Sequence, residues 1–187
     1  MARKPIQFGD PRGHSLRVYS DIFDSPAWAA LSPMDVMAYL ALLRELKKYN
    51  NGDLSLTLTR AKRYGINSPK TLARSLRALQ AVGLIACTRK GGCTKGGQRL
   101  PSLYRVTDRE CNELPLKCVE AMPATNEWKR VKSREQGLAL IEAADSAATA
   151  AGKLKGGACG VPKTKASDAA VKIEKTVRDI EQEIEPA

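Results

Sequence analysis

The chain has 187 residues, of which 43% are hydrophobic, so it can build one core of ordinary domain size and is too short for a large multi-domain enzyme. Lys and Arg number 31 against 20 Asp and Glu, and the net charge of +11 favours nucleic acid or another anionic surface as partner. The single histidine, His14, lies in a polar run without neighbours that would make it a base or a zinc ligand.

Two Ser-Pro pairs mark helix starts after an arm of residues 1–17 that is polar, basic and expected to be flexible. Ser25-Pro26 predicts a short helix with Trp28 packed inward, and Ser32-Pro33 predicts a long one. The long helix is expected to run until the turn at residues 49–52. Its inward residues recur at spacings of three and four and are Val36, Tyr39, Leu40, Leu43 and Leu46.

Leucine alternates with polar residues over 54–58, which predicts a short strand. A helix capped near Thr57 or Thr59 follows over about residues 60–64 and ends at Gly65.

Ser68-Pro69 opens another helix, which Gly83 ends. Its predicted inward residues are Leu72, Leu76, Leu79 and Val82. Residues 84–88 and 103–106 then predict an antiparallel hairpin, and the glycine-rich, basic stretch 89–99 forms its long tip. Two helices joined by a short glycine turn and followed by a hairpin match the plan of a winged helix-turn-helix domain.

The pattern weakens beyond residue 107. Residues 111–123 read as irregular, and 126–144 predict a helix whose inward residues would be Trp128, Val131, Leu138 and Ile141, although Gly137 weighs against it. Residues 143–160 are rich in Ala, Gly and Lys and are interpreted as a linker. The last segment carries a narrow apolar stripe that could dimerise the protein, fold back or stay disordered: Ile173, Val177, Ile180 and Ile184.

Most of the charge excess lies in residues 51–100, which hold ten cations and one acid, Asp53. On a helical wheel, Lys70, Arg74 and Arg77 lie about 140–200° away from Leu72 and share the outward face. Small residues beside them, Ala78 and Ala81, would let this helix approach base edges. The alternative interpretation is a solvated amphipathic helix in a small bundle.

Arginine can donate to both O6 and N7 of guanine, so Arg74 and Arg77 are the expected base readers. Phosphate contacts are expected from Lys70 and from the hydroxyls of Ser68 and Thr71. The remaining candidate cations precede this helix or lie in the hairpin tip: Arg60, Arg89, Lys90, Lys95 and Arg99. The tip could instead be a loop without a partner.

Catalysis, metal binding and membrane insertion are not expected. The chain shows no paired-carboxylate site, Walker glycine loop, nucleophile elbow or second histidine. Five cysteines at irregular spacings predict reduced thiols rather than disulfides or zinc ligands, with Cys87 buried in a strand. The start lacks a secretory signal, and no apolar run approaches the roughly 18 residues of a membrane span, so a cytoplasmic protein is expected.

The runs Ser25-Pro-Ala-Trp-Ala-Ala-Leu-Ser-Pro-Met-Asp-Val-Met-Ala-Tyr and Gly65-Ile-Asn-Ser-Pro-Lys-Thr-Leu-Ala-Arg-Ser-Leu-Arg-Ala-Leu, with Gly83-Leu-Ile, resemble winged-helix proteins of bacterial mobile elements, including plasmid and phage replication initiators. The resemblance covers about residues 18–106. It implies that the helix from Ser68 is the recognition helix and that residues 89–99 are the wing. The second winged-helix domain of an initiator is missing, and the tip is unusually rich in glycine.

The sequence therefore predicts an α+β fold: a flexible arm at 1–17, a winged helix-turn-helix domain at 18–108, an irregular or helical extension and linker at 109–162, and an amphipathic helix at 163–187. The predicted function is sequence-specific binding of double-stranded DNA in transcriptional regulation, with no cofactor and a possible homodimer through the C-terminal stripe. Alternatives are replication initiation, or a protein-interaction adaptor or phage-encoded inhibitor that uses the winged helix to dock on another protein.

Overall fold

A computed structural model describes residues 15–93, 97, 99–117 and 119–157, with side chains up to residue 151. The fold is mixed helix and small sheets, with a helical C-terminal region. Its helices are α1 (Ser20–Phe23), α2 (Pro26–Ala29), α3 (Pro33–Glu45), α4 (Leu58–Ala61), α5 (Pro69–Ala81) and α6 (Arg134–Gly157). Its strands are β1 (Ile85–Arg89), β2 (Gly92–Cys93), β3 (Arg99–Leu100) and β4 (Leu103–Val106). The chain divides into the units Met1–Ala147 and Ala148–Ala187, and every contact below lies within the first.

The two early helices begin at their Ser-Pro pairs, as predicted. The Ser25 hydroxyl accepts the amide of Trp28, and Ser32 forms a reciprocal capping box with Asp35. Trp28 is half-buried and meets the ring of Tyr39 edge-on at 5.6 Å.

Helix α3 ends earlier than the sequence predicted. It stops at Glu45, before the turn at residues 49–52, because the Asn50 side chain donates to the Glu45 carbonyl at 2.9 Å and accepts the Lys47 amide. Tyr39, Leu43 and Leu46 are buried as expected, whereas Val36 and Leu40 are only half-buried. Ala38, Ala41 and Leu42 fill the core instead.

The strand predicted over residues 54–58 is reduced to a single bridge, in which Leu54 and Tyr104 exchange backbone hydrogen bonds of 2.8 and 3.1 Å. Leu58 already belongs to α4, so the prediction is wrong at that residue. A 3₁₀ turn, Lys62–Tyr64, continues α4 to Gly65, which has φ +82°. The Gly65 turn therefore lies where it was predicted.

Helix α5 places Leu72, Leu76 and Leu79 in the core, as predicted, and contacts α3. Gly83 follows it with φ +78°, and an added Cβ there would lie 2.8 Å from the Glu127 backbone carbon. This position therefore needs glycine for conformation and for close approach.

Strands β1 and β4 pair antiparallel, with Ile85 opposite Val106 and an irregularity between Cys87 and Arg89. The tip between them carries a second short pair, β2 with β3. The predicted hairpin with a long tip is therefore present.

The segment after the hairpin consists of short bridges and 3₁₀ turns. Residues 111–122 form two isolated bridges around the 3₁₀ turn Pro115–Lys117, and a further 3₁₀ turn spans Glu127–Arg130. Arg105, buried in β4, donates to Thr125 and to Glu127 at 3.1 Å each and so fixes this connection.

Helix α6 corrects four expectations. Trp128 and Val131 are buried, but they precede α6, and Leu138 within it is 42% exposed rather than inward. Gly137 does not interrupt the helix, and it lets α6 pack closely, because an added Cβ would lie 2.6 Å from Ala30 Cβ. Residues 143–157, interpreted as a linker, are helical, since alanine is the best helix former.

The core is tied to its surroundings by a buried amide. Asn51 accepts the Val106 amide at 2.8 Å and donates to the carbonyls of Val106, Arg109 and Glu110 at 3.0–3.1 Å. This residue therefore joins the loop after α3 to the end of β4.

Three predicted features lie outside the described residues: most of the arm 1–17, the tip residue Lys95, and the stripe Ile173, Val177, Ile180 and Ile184. Within the described part of the chain, no helix combines the length and the apolar character that crossing a bilayer requires.

Candidate nucleic-acid interface

The outward face of α5 carries the cations that the helical wheel predicted. Lys70 and Arg74 are exposed, Thr71 and Arg77 are half-buried, and Leu72 lies on the opposite, core side. Ala78 is 2% exposed and belongs to the core, so its predicted place beside the base readers is wrong. Ala81 is half-buried and packs against the core.

The two arginines share one carboxylate, supplied by α6. Arg74 Nε donates to Asp145 Oδ2 at 2.9 Å, while Arg77 Nε and Nη2 donate to Oδ1 at 3.2 and 3.0 Å. The Asp145 side chain is 27% exposed, and those of Arg74 and Arg77 are 62% and 36% exposed. Both predicted base readers are therefore already occupied by an anion.

The electrostatics of Asp145 reflect its position between two cations. Partial burial raises the pKa of its carboxyl, but the hydrogen bonds and charges of Arg77 and Arg74 outweigh burial and lower the pKa overall. The carboxylate is consequently ionised at neutral pH.

The start of α5 differs from the other Ser-Pro starts. Ser68 is exposed and its side chain makes no capping hydrogen bond in the structure, although Pro69 occupies the first helical position as in α2 and α3. The amides of the first turn are left to solvent or a ligand.

Of the cations before α5, Arg60 forms an ion pair with Glu45 at 3.0 Å, so its predicted DNA contact would compete with that pair. Lys62 and Arg63, in the following 3₁₀ turn, are exposed.

The hairpin tip presents its described cations unequally. Lys90 and Arg99 are exposed, with Arg99 opposite Cys93 in the β2–β3 pair. Arg89 is half-buried, and its Nε is enclosed without a hydrogen-bond partner among the described residues. Lys90 and Arg99 are thus the better placed of the three for an external anion.

Two shallow clefts separate α5 from the hairpin. One of 350 Å³ is lined by Leu56, Leu76, Arg99, Leu100 and Tyr104 among others. The second, of 320 Å³, runs along α5 past Leu72, Ala73, Leu76 and Arg77. Helix and hairpin therefore border one continuous surface with cations at its edges and an apolar floor.

The cysteines do not form a metal site in the described residues, where no group of His, Cys, Asp and Glu could hold an ion. Cys87 is exposed, so the expectation that it is buried is wrong. The buried thiol is Cys111, which donates to the Asn51 carbonyl at 2.9 Å, and whose pKa is raised by burial, partly offset by Arg105.

Sequence reasoning missed Asp145 because residues 143–160 were interpreted as a linker. One signal was present: Asp145 follows the inward residue Ile141 by four positions, so on a continuous helix both face the same neighbours. In the structure, the acid at that position contacts Arg74 and Arg77 on the outward face of α5.

Comparison of the chain with protein-family models, curated proteins and solved structures gives no match. The functional argument therefore depends on the described residues themselves.

Proposed function

We propose that the chain is a winged helix-turn-helix protein that binds double-stranded DNA in a sequence-specific manner and acts as a transcriptional regulator. The order of elements supports the first part: α3, the Leu54 bridge, α4, α5, and the β1–β4 hairpin follow one another as in that architecture. In this reading, α5 is the recognition helix and residues 89–99 are the wing.

The observation that carries the proposal is the cationic surface made by α5 and the hairpin. Ten cations and one acid occupy residues 51–100, and α5 itself contains three cations and no acid. Asp145 of α6 is paired with Arg74 and Arg77, but the segment itself is depleted of acids. Such a segment suits a ligand with closely spaced phosphates, because each neutralised phosphate releases bound counterions.

Each residue has a role in this proposal. Arg74 and Arg77 read guanine edges in the major groove, while Lys70, Thr71 and Ser68 bind the flanking phosphates. Arg60, Lys90, Lys95 and Arg99 contact the backbone on either side of the groove. Arg89 is half-buried, so it contributes less to this backbone contact than the exposed Lys90 and Arg99.

The first test is selection of bound sequences from random duplex DNA by the full chain, followed by titration of the selected duplex at several salt concentrations. The proposal expects one enriched motif and a steep loss of affinity with salt. Recovery of no motif, together with a flat salt dependence, contradicts it.

The second test separates the hairpin from general charge. Replacing Lys90, Lys95 and Arg99 by glutamine should weaken binding to all duplexes alike and lower the salt slope by about 2.7, or about 0.9 per phosphate. The matched control removes three exposed cations elsewhere, Lys47, Arg130 and Lys132, and should leave the slope nearly unchanged. An equal effect of both variants contradicts a specific wing contact.

One observation favours a second candidate, a protein-interaction adaptor. Arg74 and Arg77 bind a carboxylate in this structure, and the clefts beside them are partly apolar, so an acidic protein segment would fit the same surface. The selection experiment distinguishes the two functions, because an adaptor enriches no DNA motif.

A further inference from the structure

The ion pairs that Asp145 forms with Arg74 and Arg77, called the Asp145 bridge below, bear on how the proposed DNA site is regulated. This inference rests on the proposed function. Three N–H groups, Nε of Arg74 and Nε and Nη2 of Arg77, donate there to the two oxygens of one carboxylate over 2.9–3.2 Å. A carboxylate held by two arginines imitates the way in which two arginines hold a phosphate.

We propose that Asp145 is an internal competitor for DNA, which must leave Arg74 and Arg77 before these arginines contact a base or a phosphate. Asp145 and DNA compete for the same N–H donors, because an N–H that points at the Asp145 carboxylate cannot at the same time point at guanine O6 or N7. The retained negative charge also repels an approaching phosphate.

The fold holds Asp145 in this position. Ile141, one turn earlier on α6, is buried, and Gly137, one turn before that, lets α6 approach Ala30 closely. The carboxylate is therefore carried by a helix anchored to the core, and closing the bridge requires only the two arginine side chains to adopt their present conformations.

The exposure of the bridge makes exchange with DNA feasible. The carboxylate remains 27% exposed and Arg74 remains 62% exposed, so the pairs are in contact with water and are individually weak. DNA, with many phosphates, displaces them at a modest cost in affinity. The expected cost is that of two partly exposed ion pairs, about 3- to 20-fold in the dissociation constant.

The test compares full-length wild type with Asp145→Asn and with the matched control Glu142→Gln. Glu142 is an exposed acid on the same helix three residues away, so its change removes the same charge without touching the bridge. Sequences are selected from random duplex DNA by the wild type and by Asp145→Asn separately. Binding is measured by fluorescence anisotropy on every selected duplex and on a scrambled duplex, and circular dichroism verifies folding. Asp145→Ser is a second variant of the same position, should the first fail to fold.

Asp145→Asn is expected to tighten binding about 3- to 20-fold, and Glu142→Gln less than about 2-fold. In addition, Arg77→Ala should cost more affinity in the Asp145→Asn background than in the wild type, because only there is Arg77 fully available to DNA. If the wild type binds DNA and Asp145→Asn leaves this binding unchanged or weakens it, the proposal that Asp145 competes with DNA is wrong, while the proposed function stands. If neither protein binds duplex DNA at low salt, the proposed function is wrong and the competitor with it. Binding by Asp145→Asn alone supports both.

Discussion

Helices α3 and α5 have the same length and the same start, yet they do opposite work. Each has 13 residues and begins with a proline after a serine. Helix α3 is buried on several sides, at Ala38, Tyr39, Ala41 and Leu42 among others, whereas α5 keeps a cationic face away from the core. Helix α3 therefore contributes mainly to the core, whereas α5 also exposes a cationic face that a ligand could bind.

Their N-termini differ in the same sense. Ser32 and Asp35 satisfy the first amides of α3 within the helix, while Ser68 makes no capping bond to α5 in the described structure. Likewise, the acid that accepts a hydrogen bond at the start of α3, Asp35, belongs to the first turn of that helix, whereas the acid bound to α5, Asp145, comes from α6. The same local signal, Ser-Pro, thus starts one helix whose first amides are capped by the serine side chain and another whose serine makes no capping bond.

The comparison is most sharply tested by Leu42→Ala in α3. Because this side chain is fully buried, its truncation should lower the free energy of unfolding by about 2–5 kcal/mol. Urea denaturation measures the loss. Leu138→Ala serves as control and should change stability by less than about 0.5 kcal/mol, since Leu138 is largely exposed. A large effect at Leu138 would show that α6 packs differently.

On α5, Arg74→Ala should act on binding rather than on stability. We expect a loss of about 1–3 kcal/mol in affinity for the selected duplex and relaxed preference at one base position. Titration against duplexes carrying each base at that position provides the measurement, and Lys132→Ala is the control for lost charge. Unchanged affinity and unchanged base preference would rule out Arg74 as a base reader.

Removing the two cap hydroxyls compares the helix starts directly. Ser32→Ala should destabilise the protein by about 1 kcal/mol, because the Ser32 hydroxyl no longer accepts the Asp35 amide or donates to the Asp35 carboxylate. Ser68→Ala should cost less than about 0.5 kcal/mol in stability, since no capping bond exists to lose, but should weaken DNA binding. Equal losses of stability in thermal unfolding would contradict the distinction.

The smallest expected effect concerns pH and the acid bound to α5. Because the folded-state pKa of Asp145 is lowered, its contribution to stability is present above the unfolded pKa and is lost as pH falls through the folded one. The wild type should therefore exceed Asp145→Asn by less than about 1 kcal/mol at pH 7, given the exposure of the pairs, and this advantage should shrink as pH falls below the unfolded pKa of aspartate, about 3.9. Urea denaturation of both proteins across this range tests the sign. An advantage that grows on acidification would be inconsistent with the ion pairs.

The sequence predicts the elements well wherever a local signal decides the structure. Ser25, Ser32 and Ser68 precede helices, Gly65 and Gly83 end turns with positive φ, and the leucines of α5 face the core. All of these features were predictable because each depends on neighbours within one or two helical turns. The outward position of Arg74 follows from the same periodicity.

Prediction fails where a distant partner decides. Gly137 looks like a helix breaker until Ala30, more than a hundred residues earlier, occupies the space beside it. Cys87 was expected to be buried but is exposed on the hairpin, and Ala78 was expected on the outward face of α5 but is packed into the core. The Asp145 bridge depends on α6, whose alanine-rich end was interpreted as a linker, so the sequence analysis missed the occupied state of the arginines although the spacing from Ile141 offered one signal.

The amide of Asn51 has a consequence for synthesis of the chain. Its partners lie 55 to 59 residues later, at Val106, Arg109 and Glu110. A nascent chain that has emerged only as far as α5 carries this polar side chain without any of those partners, and burying it then would cost about 1–3 kcal/mol. Asn51 is therefore expected to stay hydrated until β4 and residues 109–110 have emerged, so the loop after α3 completes its packing only then.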